Sequence, residues 1–307
     1  MVSNYHVPVL YNEVIENLNI RPNTIIVDGT LGGGGHTELI LKKSKSVKVF
    51  AVDRDEEAIE YTSKRLKSYS KRLTIKHSNF KNIVELLSEE NIKADGVLLD
   101  LGVSSHQIDD AERGFSFRFD SELDMRMDKS QEFTAKDVVN YYTESKLVEI
   151  LSSYGEEKYS KRVAKGIIAK RPIATTGELK TAIEEVVNRI NKKETPNSVQ
   201  RVFQAIRIEV NAELSKLYDF IVSLPKVLNK GARIAIISFH SLEDRIVKNA
   251  FNELCTDCIC PPRIPICVCG HRAQAKHITR KPITATEDEL QNNTRSSCAK
   301  LRVVEIL

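Results

Sequence analysis

An open α/β sheet interrupted by an all-helical insert is the fold class this chain predicts, on three observations. The first is the stretch Ile25-Ile26-Val27-Asp28-Gly29-Thr30-Leu31-Gly32-Gly33-Gly34-Gly35-His36, an apolar run that ends in glycines. Such a run marks a strand turning sharply into a helix, because glycine lets backbone amides approach a ligand with no Cβ in the way. The second is the acid-tipped strand Val49-Phe50-Ala51-Val52-Asp53, whose carboxylate can take both hydroxyls of a ribose. The third is a change of pattern: from about residue 105 to 206 only loops and amphipathic helices are legible.

Taken in order, the elements alternate as an α/β protein requires. A helix over 56–66, a strand over 73–77 and a helix over 82–87 lead to a buried strand over 96–100. Within the insert, Thr175-Thr176-Gly177-Glu178 makes a capping box ahead of the stripe Leu179, Ile183, Val186, Val187 and Ile190. Another helix runs to Lys170-Arg171 and is stopped by Pro172. The α/β pattern resumes with one helix through Val210, Leu214, Leu217 and Ile221, a strand over 233–238, a helix from Leu242 and a last strand over 300–307. The expected domains are thus a first sheet segment over 1–105, a helical substrate-recognition insert over 106–206 and a second sheet segment over 207–307, with the insert after the fourth strand of a parallel sheet. Ligands in such sheets sit beyond the carboxyl ends of the strands, where Gly32 to His36, Asp53, Asp100 and Ser238-Phe239-His240 all fall.

The glycine stretch discriminates between cofactors. A dinucleotide fingerprint needs G-x-G-x-x-G directly after the strand, whereas here Asp28-Gly29-Thr30 intervenes and four glycines run unbroken. No Lys-Ser/Thr pair follows them, which excludes a P-loop. A carboxylate at the first strand end repels a pyrophosphate and suits a ligand with a positive centre and an amino-acid tail. S-adenosylmethionine, with its sulfonium, α-amino group and ribose, fits that requirement.

Composition sets the frame. The 307 residues are ample for a large core or two domains, and nothing in them approaches a membrane span. The start, Met1-Val2-Ser3-Asn4-Tyr5-His6, has no cationic region leading into an apolar one, so a cytoplasmic location is expected. Net charge is only +4, but residues 42–81 hold twelve Lys/Arg against five Asp/Glu, a basic face suited to phosphate or simply to solvent. Five of the six cysteines crowd between Cys255 and Cys269. Cys255-x-x-Cys258-x-Cys260 and Cys267-x-Cys269-x-His271 could hold zinc tetrahedrally, yet the intervening loop is short for a zinc ribbon, and the expectation is reduced free thiols with no metal.

Asp100-Leu101-Gly102-Val103-Ser104-Ser105 stands where a methyltransferase places its acceptor-binding turn. An exocyclic amine of cytosine or adenine is a poor nucleophile, because its lone pair is delocalised into the ring. A carboxylate that accepts its hydrogens favours the pyramidal amine able to attack a sulfonium methyl in line. Asp100 can do this, or it can cap the following turn. Carbon methylation of cytosine wants a cysteine nucleophile after a proline, and here the order is Cys260-Pro261-Pro262 in a distal segment.

Several strings then converge. His6-Val7-Pro8-Val9-Leu10, Asp28-Gly29-Thr30 with Gly34-Gly35-His36, Asp100 to Ser105, Asp110-Ala111-Glu112-Arg113-Gly114-Phe115-Ser116-Phe117, Leu123-Asp124-Met125-Arg126-Met127-Asp128 and Ser238-Phe239-His240-Ser241-Leu242-Glu243-Asp244-Arg245 stand in family order. The chain closely resembles the ribosomal RNA small subunit methyltransferase H (MraW) family. The resemblance implies a class I (Rossmann-like) S-adenosylmethionine-dependent methyltransferase sheet with an inserted all-helical domain. It implies methyl transfer to the N4 amine of one decoding-centre cytidine in bacterial 16S rRNA. It also implies cofactor contacts from Gly34, Gly35 and His36, from Asp53 on the ribose, from Phe80 beside the adenine, and from Asp100 and Gln107. Arg113, Asp124 and Arg126 are expected on the RNA-facing wall, or else in a salt-bridged lid. His240 is a second catalytic candidate, to orient the base or shuttle a proton, although a lone histidine at a strand end is more often structural.

One departure stands out: Asn293-Thr294-Arg295-Ser296-Ser297-Cys298 lacks the proline and second arginine of the family's Asn-Pro-Arg-x-Arg-Ser, which weakens one RNA contact. Two other classes compete. A DNA amino-methyltransferase would carry Asp/Asn-Pro-Pro-Tyr/Phe where Asp100-Leu101-Gly102-Val103 stands, and a non-catalytic RNA-binding or zinc scaffold would not need Asp53 and Asp100 beside an intact loop. The expected partner is 16S rRNA within the 30S subunit, read by shape with the base extruded, and the exposed helices of the insert are compatible with a homodimer.

Overall fold

The computed structural model describes residues 8–261 and 266–307, so His6 and Val7 of the first family string, and Pro262, lie outside the described residues. The chain divides into two compact units: Met1–Gly102 with Leu214–Leu307, and Val103–Glu213.

The first unit opens with α1 (Tyr11–Asn17), β1 (Ile25–Asp28), α2 (Gly35–Lys43), β2 (Lys48–Asp53), α3 (Glu56–Arg65), β3 (Leu73–His77), α4 (Ile83–Glu89) and β4 (Ala94–Asp100). The central strands are apolar on both faces, as strands covered by helices on each side must be: Val27, Val97 and Leu99 pack with one core cluster, Ile26 and Leu98 with another. Asp55 starts α3 by accepting the Glu57 N–H. Glu56 and Glu57 then lie in its first turn and Lys64 and Arg65 in its last, matching the helix dipole at both ends.

The second unit holds α5 (Ser105–Asp109), α6 (Ala135–Tyr141), α7 (Glu144–Ser153), α8 (Ser160–Ala169), α9 (Thr176–Asn191) and α10 (Thr195–Asn211). Among its described residues, the isolated bridge of Glu122 with Thr175 is the only extended pairing. α9 opens on the capping box of Thr175 and Glu178, and its stripe residues Leu179, Ile183 and Val187 are buried with Leu147, Ile150, Val163 and Val202. The β-free, periodic composition of this stretch thus folds as a helical cluster around its own core.

The first unit resumes with α11 (Leu217–Ser223), β5 (Leu228–Ser238), α12 (Ser241–Leu254), β6 (Ala275–His277), α13 (Glu287–Asn292) and β7 (Lys300–Ile306). The seven-stranded sheet has the order β3-β2-β1-β4-β5-β7-β6. It is mixed rather than parallel throughout, which corrects the expectation: β1 to β5 are parallel, but β7 runs antiparallel to both β5 and β6. The chain lays β6 at the outer edge and returns through α13 to fill the gap beside β5, which reverses the last strand.

The single helix expected through Val210 and Ile221 is two helices. α10 ends at Asn211, Ala212 takes a left-handed conformation (φ 46°) and so does Lys216 (φ 58°) before α11 begins. Val210 belongs to the core of the second unit, and Leu217 and Ile221 to a core of the first. One apolar period therefore runs across a break between two units.

Gly114 has φ +68°, and a Cβ there would stand 2.5 Å from the Glu122 carbonyl oxygen and 2.8 Å from the Asp124 nitrogen. Gly114→Ala is expected to destabilise the protein by about 1–3 kcal/mol in urea unfolding, and an unchanged midpoint would contradict this account of the turn.

Candidate active site

The site in the first unit is built around Asp28, at the carboxyl end of β1 and 1% exposed. Its Oδ2 accepts the Thr37 hydroxyl at 2.6 Å, and its Oδ1 accepts the Thr30 N–H at 3.1 Å. The Thr30 hydroxyl in turn accepts the Asp100 N–H at 2.7 Å. One carboxylate thus ties β1 to α2 and, through Thr30, to the end of β4. Burial pushes its pKa up to about 6, against the lowering effect of the Thr37 and Thr30 hydrogen bonds.

The glycine loop is held from three sides. Asp53 Oδ2 accepts the Gly32 N–H at 2.7 Å, while Oδ1 accepts the Asp55 N–H at 2.9 Å. From α3, the Thr62 hydroxyl donates to the Gly32 carbonyl and Arg65 to the Gly33 carbonyl, both at 2.7 Å, while Arg65 also pairs with Glu38 of α2. Gly34 has φ +73°, and a Cβ on it would lie 2.5 Å from the Thr62 methyl; one on Gly35 would lie 2.4 Å from Pro8 Cγ. Close packing alone therefore requires these two glycines. No side chain caps the start of α2, which leaves its first-turn amides for a ligand.

Asp100 carries an oxygen that no described residue satisfies. Its side chain is 26% exposed, yet Oδ1 itself is buried and has no hydrogen-bond partner among the described residues. Oδ2 lies 3.7 Å from His36 Nδ1, beyond hydrogen-bond length. His36 Nε2 is 3.0 Å from the Val9 carbonyl oxygen, which fixes the ring as an Nε2–H donor. Burial holds the His36 pKa down at about 4, so the ring is neutral and brings no charge to Asp100. Burial, then the charges of Asp28 and Glu243, push the Asp100 pKa up to about 8.

His240 caps α12: its Nδ1 faces the Glu243 N–H at 3.5 Å. Its Nε2 lies 3.2 Å from Glu243 Oε1 without the alignment of a hydrogen bond. Glu243, 2% exposed, reaches back to accept the Phe239 N–H at 2.8 Å. Phe80 follows β3, half-buried, with its ring edge-on to Phe220 at 5.4 Å. The structure therefore brings Gly34, Gly35, His36, Asp53 and Asp100 together around one loop, and His240 is held as a helix cap.

The remaining sequence candidates lie in the second unit. Gln107 is buried and closes the capping box of α5: its Oε1 accepts the Ser104 N–H at 3.0 Å. Arg113 does not face outward as a wall residue would. It is 1% exposed and donates to the carbonyls of Arg126 and Met127, both at 3.0 Å. Asp124 and Arg126 form a two-pronged ion pair, with both N–O distances at 2.8 Å, and Arg126 also donates to the Gln131 carbonyl at 2.6 Å. These three side chains fix the backbone of residues 113–131.

Sequence reasoning passed over Thr30, Thr37 and Glu243. The His240-x-x-Glu243 spacing was a capping-box signal, hidden because histidine is an unusual cap. Thr37 lies on the inner face of α2, where its hydroxyl had no visible partner.

Five parallel strands with a reversed β7 beside β5, a glycine loop between β1 and α2, and an acid at the tip of β2 define a class I (Rossmann-like) methyltransferase. A family model described as the MraW methylase family matches residues 3–307. Ribosomal RNA small subunit methyltransferase H of Clostridioides difficile (strain 630) is 51% identical over 306 residues, covering 98% of each chain. The protein of the same name from Brevibacillus brevis is 45% identical over 311 residues, covering 100% of this chain and 99% of its own. A solved putative methyltransferase from Streptococcus mutans, in complex with SAH, is 12% identical, with a TM-score of 0.42, and the match covers 98% of this chain and 100% of that one. The chain belongs to the MraW methylase family.

Thr37→Val removes the hydroxyl from a buried carboxylate while keeping the side-chain shape. A loss of about 1–3 kcal/mol is expected in urea unfolding at neutral pH. No loss would mean that Thr37 does not satisfy Asp28.

Proposed function

We propose that this protein transfers a methyl group from S-adenosylmethionine to the N4 amine of a decoding-centre cytidine in 16S rRNA, with the 30S subunit as the substrate particle. The observation that carries the reading is the buried Asp100 Oδ1 beside the glycine loop, which has no partner among the described residues. The small-subunit rRNA named for relatives of 45–51% identity supports the substrate class. Among the described residues no helix is long and apolar enough to cross a membrane.

The residues present fit the cofactor. The uncapped start of α2 offers amides to a carboxylate, Asp53 keeps unused lone pairs for ribose hydroxyls, and the half-exposed Phe80 ring suits an adenine face. Gln107 completes the proposed set. The bound cofactor supplies an electrophilic methyl on a sulfonium. Asp100 accepts a hydrogen of the target amine and so favours the pyramidal form whose lone pair is free to attack. With its pKa raised to about 8, the same carboxylate is a base strong enough to take the proton that the methylated amine sheds. His240 acts through Glu243, holding the turn after β5 rather than reacting. Arg113, Asp124 and Arg126 shape the backbone of a substrate-recognition unit from within.

The direct test is to incubate the protein with labelled S-adenosylmethionine and small subunits from a methylation-deficient strain, digest the RNA and identify the nucleoside by mass spectrometry. N4-methylcytidine is expected. Any other methylated base would overturn the acceptor assignment.

A carboxyl with its pKa at about 8 is mostly protonated below that pH and cannot then take a proton from the amine. kcat/KM should therefore rise with pH and level off above about 8, and Asp100→Asn should remove that limb while lowering the rate by about 100-fold or more. Folding responds in the opposite sense. Because the folded-state pKa lies above the ordinary aspartate value of 3.8, ionising Asp100 costs stability: the cost is absent below 3.8, accumulates as pH rises and is complete above about 8. Asp100→Asn should thus raise the Tm of the ligand-free protein, most clearly above pH 8. A variant that turns over normally would remove Asp100 from the mechanism.

A further inference from the structure

We propose that Cys258, Cys260, Cys267 and Cys269 bind one zinc ion as a closed four-thiolate site on the loop between α12 and β6. The four sulfurs lie within 4.8 Å of one another. Cys267 Sγ is 3.5 Å from Cys269 Sγ, which is 3.8 Å from Cys258 Sγ. Four sulfurs each about 2.3 Å from a zinc ion occupy a tetrahedron with edges of about 3.8 Å, so the measured spacings are those of the ion's own coordination shell. They are too long for disulfides, whose sulfurs approach to about 2.05 Å, and all six cysteines are free. A multi-iron cluster places iron and sulfide among its cysteine sulfurs and spreads them further apart than this. Four sulfurs in a tetrahedron suit zinc among divalent ions, and zinc has no redox chemistry to lose at an exposed site.

The structure also selects these four from the six. Cys255 caps α12 and packs half-buried against the sheet core, and Cys298 lies in the turn before β7. His271 is engaged by the Glu253 carbonyl oxygen, 2.9 Å from its Nε2. In the sequence, the shortness of the intervening loop compared with a zinc ribbon argued against a metal. Yet the two C-x-C pairs, separated by that loop, converge on one point.

The loop needs such a cross-link. Ile259, Ile266 and Val268 are 52%, 76% and 76% exposed, so among the described residues of the loop these large apolar side chains form no core. Its base is tied by the Gln274 N–H on the Leu254 carbonyl at 2.8 Å and the Ala273 N–H on Asp257 at 3.2 Å. A metal cross-links such a loop where burial of side chains does not.

The test uses the full chain, expressed without a metal-affinity tag, purified under reducing conditions without chelator, and analysed for metals by mass spectrometry. About one zinc per chain is expected, lost in Cys258→Ser and Cys267→Ser and kept in Cys255→Ser and Cys298→Ser. Cobalt titrated into the reduced, stripped protein should give the intense absorption of tetrahedral thiolate coordination. Should a serine variant fail to fold by circular dichroism, the cobalt spectrum of the unmutated chain decides. Zinc below about 0.1 per chain with no cobalt spectrum, iron in zinc's place, or four thiols found oxidised would each overturn the proposal.

Discussion

The hydrogen-bonded burial of the Asp28 carboxylate is the constraint from which the rest of the site follows. A carboxylate at 1% exposure, with no cation paired to it among the described residues, is unfavourable unless its oxygens are filled, and here Thr37 and the Thr30 amide fill them. Filling them brings α2 onto the end of β1 and turns the chain so that the Thr30 hydroxyl can receive the Asp100 amide. The glycine loop then has only a short span to cross, and Asp53, Thr62 and Arg65 fix its polar groups along that span. The end of β4 at Asp100 is thus tied both to β5 by its register with Ile237 and to Asp28 through Thr30.

That arrangement concentrates acids. Asp28, Asp100 and Glu243 influence one another electrostatically, and the adjacent His36 ring is neutral. A site of this kind stores unfavourable energy that a cationic ligand relieves on arrival. Its empty form is therefore less stable than its composition alone would suggest, a common trade between stability and function. The insert shows the opposite economy: its charged residues Arg113, Asp124 and Arg126 spend their hydrogen bonds on the chain's own carbonyls and on each other.

The legibility of these features follows physical lines. β1, β2 and β4 could be read because strands buried on both faces are continuous apolar runs, and α9 because its capping box and stripe are local patterns. The break between α10 and α11 could not be read, because Ala212 and Lys216 adopt left-handed conformations without glycine to announce them. The reversal of β7 depends on where β6 finds an edge, and three residues of β6 carry no periodic signal. In the site, the acids at strand ends were visible by position. The burial of Arg113 was not, since its partners are main-chain carbonyls that any sequence possesses. The cysteine pairs were seen, but their convergence is a property of the loop's path.

The order of the sheet has a consequence for how the protein is made. β4 and β5 are neighbours, yet the whole of Val103–Glu213 is synthesised between them, and β7, which is flanked by β5 and β6, comes later still. A growing polypeptide can close the contiguous helical insert from local contacts while β1 to β4 wait with an unpaired apolar edge. Translation therefore passes through a stage in which one unit is finished and the other presents an open strand. The nascent protein is most prone to aggregation in that interval, and release of the last strand from the ribosome ends it.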